Sequence, residues 1–283
     1  TTPGYLVAVD HRGRKLWERG DASIDRHAPD GKYNEPALRG IALVYDLDSD
    51  GDSEVVTELW DDGKPMLCVL DGATGHVERR IASPLDPAVR GGERSRCHPL
   101  GRIAHLHGQD GPPSIVLKYE ASGNVPSHAV ALSPSLEVQW HFRGHPDAIG
   151  HIPTVGDLDG DGCDEIALGR TLVDGSGEVL WQKKARRHAD CTALVQLPGR
   201  AKRAVLISIC GTGPAFCLSA EGKTIWAKTS EEVSHGQGVW AGNFIDEEPG
   251  PEVIVLCSGH VGDFLTVRAA DGKPLAAFQH RTR

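Results

Sequence analysis

No apolar run in this 283-residue chain approaches the ~20 residues that a membrane-spanning helix requires, so the sequence contains no helical membrane span. A basic excess is missing too. Against 39 Asp and Glu there are 30 Lys and Arg, a net charge of -9, which argues against nucleic acid as the partner because phosphate binding needs a basic surface. There is no long amphipathic helical pattern and only one methionine, while 34 Gly and 18 Pro break the chain into short Val/Ile/Leu runs that favour strands. Seven cysteines cannot all pair within one chain, and they form neither a CxxC pair nor a zinc framework. Cys68, Cys210, Cys217 and Cys257 lie in apolar strand-like runs and are expected as buried thiols, which leaves the compartment open. The chain starts at Thr1 without an initiator Met, signal peptide or lipid motif, so upstream segments are expected.

What the chain does have is a repeat. An apolar strand, a turn with Asp, Ser or Gly, and a second strand often ending in Trp recur as YLVAVDHRGRKLWE (5–18), MLCVLDGATGHVERRI (66–81) and AVALSPSLEVQWHF (129–142). They continue as TLVDGSGEVLWQK (171–183), AFCLSAEGKTIWAK (215–228) and LTVRAADGKPLAAF (265–278). Trp140 to Trp181 is 41 residues and Trp181 to Trp226 is 45, the period of a propeller blade. Between hairpins lies a second apolar pair, such as IALVYD then EVVTEL, or IPTVGD then EIALG, which supplies the inner strands. The expectation is an all-β chain, one β-propeller domain over 1–283 built of four-stranded blades. Five blades are complete and half of a sixth precedes them, as in a fragment of a seven- or eight-bladed propeller.

Two stretches carry carboxylates at alternate positions: DLDSDGDSE (Asp46, Asp48, Asp50, Asp52, Glu54) and DLDGDGCDE (Asp157, Asp159, Asp161, Glu165). Calcium takes six to eight oxygens, and such a loop wraps several around one ion. An EF-hand would need Glu at loop position 12, where Thr57 and Leu168 stand instead, so these loops are expected to join two strands and bind structural calcium. Asp246 to Glu252 is a degenerate third copy.

Aligned on the first inner strand, the blades place Arg39, His98 with Arg102, His151, His188 and His235 at the start of that strand. One such His beside a strand is ordinary. Recurrence across five blades points to a shared mouth near the propeller axis, suited to an anionic sugar or a metal. Lys118, Tyr119, Arg170 and His260, at the ends of the second strands, are further candidates for that mouth.

GHIPTVGDLDGDGCDEIALG (150–169), followed by RRHADCTALVQL, resembles the rhamnogalacturonan lyases of the eleven-type polysaccharide-lyase group, with ALVYDLDSDGDSEVV and HGQGVWAGNFIDEEPGPEVIV similar to other blades of that fold. The resemblance implies an eight-bladed calcium-rich propeller that cleaves a rhamnose- and uronate-containing polysaccharide by β-elimination, outside the cell or in the periplasm. It implies a central calcium held by two His, an Asp and a Glu. By motif these are His151, His188 and Asp190, whereas the Glu position reads Cys210-Gly211-Thr212 and the family's Arg-Gly reads Gln237-Gly238.

On that basis Arg102, Lys118, Tyr119 and His235 are candidate catalytic groups, Arg39, His98, Arg170 and His260 candidate substrate contacts, and Ca2+ the expected cofactor. The alternative is a non-catalytic carbohydrate-binding or adhesion propeller with the same calcium loops.

Overall fold

The computed structural model describes residues 5–20, 41–61, 64–84, 99–119, 126–184, 187–209, 215–233, 235–257 and 264–278. The described residues form one short helix and 22 strands. A hairpin of β1 (Tyr5–Val9) and β2 (Lys15–Gly20) comes first. Five four-stranded sheets follow, each with its strands in sequence order. They comprise β3 (Ala42–Tyr45), β4 (Glu54–Asp61), β5 (Lys64–Asp71) and β6 (Val77–Ala82), then β7 (Pro99–Ala104), β8 (Ser114–Tyr119), β9 (Ser127–Leu132) and β10 (Val138–Gly144). After α1 (Pro146–Ile149) come β11 (Pro153–Gly156), β12 (Glu165–Leu168), β13 (Thr171–Val173) and β14 (Val179–Gln182). The last two are β15 (Ala189–Val195), β16 (Ala204–Ile209), β17 (Phe216–Leu218) and β18 (Thr224–Ala227), then β19 (Gly236–Gly242), β20 (Glu252–Cys257), β21 (Phe264–Arg268) and β22 (Pro274–Phe278).

Each sheet is a meander, the form of a propeller blade, and the six sequence hairpins are its outer strands as expected. The middle strands β8, β9, β12 and β13 are buried at every position, as strands covered on both faces must be. By contrast the outer β6 alternates between half-buried and exposed.

The chain divides into two compact units, residues 1–103 with 112–143 and residues 104–111 with 144–283. In the first, Leu67, Val69, Ile115, Leu117, Val130 and Leu132 form the core. In the second, Leu158, Leu172, Val205 and Ile207 form one cluster, and Leu206, Val239, Val253 and Val267 belong to another.

The recurrent tryptophan links one sheet to the next. Indole N–H groups of Trp17, Trp181 and Trp226 donate to the carbonyls of Gly72, Ala220 and Ala269, at 2.9, 2.7 and 2.7 Å, in or beside the outer hairpin turn of the following sheet. Each ring covers a glycine of that turn: a Cβ on Gly75, Gly222 or Gly272 would stand 2.5 to 2.8 Å from the indole, and all three have positive φ. Burial of thiols is found at Cys68, Cys217 and Cys257, and it pushes the Cys217 thiol up to about 12. Cys210 lies outside the described residues.

Candidate metal centre

Both acidic loops join the first two strands of a sheet. In the β3–β4 loop, oxygens of Asp46, Asp48 and Asp50 lie within 4.8 Å of one another. Ser49 and Gly51 take positive φ there, and the Gly51 amide donates to Asp46 Oδ2 at 3.0 Å while Asp46 Oδ1 is buried without a hydrogen bond. Asp52 and Glu54 stand outside that trio: the Asp52 amide donates to Asp50, and Glu54 accepts the Leu47 amide at 2.7 Å.

In the β11–β12 loop the trio is Asp157, Asp159 and Glu165. Asp157 accepts the amides of Gly160 and Gly162, Asp161 accepts that of Cys163, and Glu165 accepts that of Leu158 at 2.7 Å. Burial, reinforced by Asp159, Asp161 and Asp157, pushes Glu165 up to about 7 against the Leu158 amide. A hard cation relieves this crowding, and the all-oxygen donor sets fit calcium. These acidic groups are able to hold a metal ion. Around Asp246 to Glu252 no such trio forms among the described residues; Glu252 instead accepts the Phe244 and Ile245 amides, and Glu248 pairs with Arg268 at 2.8 Å.

The second cluster is built by the starts of three successive sheets in the second unit. His151, His188 and His235 each precede a first strand, β11, β15 and β19. The His151 amide donates to the Ala189 carbonyl at 3.1 Å, and Thr154 and Thr192 are hydrogen-bonded to each other, so β11 and β15 are tied beside the cluster. Gly150 and Gly169 allow this approach. Both have positive φ, and a Cβ at Gly150 would meet the Ala189 carbonyl at 2.6 Å.

Asp190 is the centre of the cluster, and a register shift explains its aim. In the β15–β16 pairing Ala189 and Cys191 face consecutive residues, which makes Asp190 the extra residue of a bulge. β19 repeats the device between Gly236 and Gly238, so Gln237 is the bulged residue there. The two meet: Gln237 Nε2 donates to Asp190 Oδ2 at 2.7 Å. His235 Nε2 is 3.7 Å from the same oxygen. Asp190 Oδ1 points the other way, 3.0 Å from His188 Nε2 and 3.2 Å from His151 Nε2, yet it is buried and lacks the alignment for a hydrogen bond. The two imidazoles meet edge to face with centroids 4.6 Å apart. Burial pushes the Asp190 carboxyl up, but His151 and His188 outweigh it and bring it down to about 2. The donor set of two ring nitrogens and one carboxylate oxygen does not fit calcium as the acidic loops do.

Asp147, which the sequence did not single out, also approaches this cluster. It sits in α1 with Oδ1 3.9 Å from His188 Nδ1. Arg170, expected as a substrate contact, is buried and spends its guanidinium on the carbonyls of Asp147 and Lys183, at 2.7 Å each, which fixes α1. Burial lowers its pKa.

In the first unit Arg102 is exposed on β7, where it donates to the Gly101 carbonyl. Lys118 and Tyr119, expected at the mouth, are buried in β8, with Tyr119 Oη 3.4 Å from Ser83. Arg39, His98 and His260 lie outside the described residues.

No protein-family model and no curated protein matches the sequence. Among solved structures, the exotype rhamnogalacturonan lyase YesX superposes with TM-score 0.72 at 20% identity over 96% of this chain and 50% of its own. A Bacillus licheniformis rhamnogalacturonan lyase, PL11, gives 0.73 at 21% over 97% and 51%. The Dos1 propeller gives 0.51 at 14% over 84% and 62%. At these identities the likeness shows the fold, a β-propeller of four-stranded blades. The chain spans about half the length of the two lyases.

Proposed function

We propose that the chain is the site-bearing part of a polysaccharide lyase that cleaves a rhamnose- and uronate-containing polymer by β-elimination. The observation that supports this most is the convergence of His151, His188 and His235 on Asp190 within a fold shared with rhamnogalacturonan lyases. Residues 1–283 are read as one propeller domain of a secreted or periplasmic protein, with calcium in the acidic loops.

β-Elimination needs the uronate carboxylate neutralised, the C5 proton removed and the departing oxygen protonated. A divalent cation on His151, His188 and Asp190 would supply the first. His235 is the proposed base, and solvent water is the proposed proton source for the departing oxygen. His235 lies beside Asp190 Oδ2 but not among the trio that faces Oδ1, and imidazole is a common general base. Asp190 and Gln237 orient it.

The second reading, a carbohydrate-binding propeller without turnover, is favoured by the burial of Lys118 and Tyr119, which withdraws two candidate bases. Mass spectrometry of digested rhamnogalacturonan separates the two. The lyase reading expects a product with an unsaturated uronate at its new end and a roughly hundred-fold or greater fall in turnover for His235→Ala. Binding of the polymer with no shortening of it would establish the second reading.

A further inference from the structure

We infer that the His151, His188 and Asp190 centre takes a divalent transition-metal ion of the zinc or cobalt type in place of calcium. It concerns the site used in the lyase reading but rests on the donors alone. Calcium is a hard ion that collects six to eight oxygens, and both acidic loops are of that kind. This centre presents two imidazole nitrogens and one carboxylate oxygen, the set that zinc and its neighbours accept in open sites.

The three donor atoms also stand close enough together to meet at a single ion. Asp190 Oδ1 lies 3.0 and 3.2 Å from the two Nε2 atoms.

The second observation is the carboxylate itself. Asp190 is 6% exposed, its Oδ1 makes no hydrogen bond, and it is aimed between the two ring nitrogens. Its other oxygen is held by the Gln237 amide, so the ligand is oriented from behind as in established metal sites. Two bulges, at Asp190 and Gln237, create that arrangement.

The test uses the full chain, stripped with a chelator and returned to excess calcium so that the acidic loops are filled. Cobalt is then titrated and its visible absorption followed, with zinc binding measured by calorimetry. One tight site per chain is expected, indifferent to millimolar calcium and lost in His188→Ala. Gln237→Ala is expected to weaken cobalt about 10-fold or more with unchanged thermal unfolding, because it releases only the carboxylate's outer anchor.

His141→Ala controls for the other imidazole pair, His128 with His141, and is expected to bind cobalt as wild type does. Displacement of cobalt by equimolar calcium, or equal cobalt binding by wild type and His188→Ala, would overturn the assignment. His235→Ala keeps the two claims apart. Cobalt bound normally while turnover falls supports both. Cobalt bound normally with no turnover in any variant, wild type included, supports the metal and overturns the lyase.

Discussion

At Asp190 one carboxylate oxygen is held from behind while the other is presented to two imidazoles, and the backbone beneath has to allow it. Gly150 is the tightest point. Its φ of 65° and the 2.6 Å approach of a Cβ to the Ala189 carbonyl leave no room for a side chain. Gly150→Ala is therefore expected to cost at least ~1 kcal/mol and to displace His151, read as a lower thermal midpoint together with weakened metal binding. The three histidines were legible because blade alignment places them at equivalent strand starts. Asp147 and the pairing of Asp190 with Gln237 were not legible. One depends on where a short helix packs, the other on register shifts that a repeat pattern does not encode.

At the scale of elements, the outer hairpins and their Trp endings were visible as a repeat, but the partner of each Trp was not. The indole reaches the next sheet's turn, which is why a glycine recurs there. Trp226 is largely buried, so Trp226→Ala is expected to cost about 3–5 kcal/mol by denaturant unfolding, mostly lost packing plus one hydrogen bond. A wild-type midpoint would contradict the clamp.

The acidic loops make a different prediction. Ion binding to the folded state alone adds about 2.7 kcal/mol per site at calcium a hundred-fold above its dissociation constant. Chelation should lower the thermal midpoint, and the double variant Asp48→Asn with Asp159→Asn should remove most of that response. Their positions were legible from carboxylate spacing, whereas the amide-bonded place of Glu54 was not, since spacing counts residues and cannot tell an ion ligand from a loop closure.

The β9–β10 pair carries a pH dependence of its own. His128 and His141 stack with ring nitrogens 2.7 Å apart, and burial, with Arg143 nearby, lowers both below their ordinary 6.5; His141 lowers His128 further. The unfolded chain then binds protons first as the pH falls, so this pair's contribution is complete above 6.5 and is lost below it. Unfolding free energy measured against pH should decline on that side, and His141→Gln should flatten the decline.

For the whole molecule, the acidic chain and its proposed acidic polymer would repel one another, and a cation held at the proposed site would offset that repulsion. Blade architecture was legible from period, turns and strand pairs. Function was less so, because a propeller hosts many activities and only the arrangement around Asp190 narrows them.

The most direct test follows the ultraviolet absorbance of unsaturated uronate from rhamnogalacturonan with wild type and His188→Ala, measuring oligosaccharide binding in parallel. The account predicts absorbance that rises with wild type and is abolished by the substitution, while the oligosaccharide still binds. Binding by wild type with no absorbance change on any uronate polymer would contradict it.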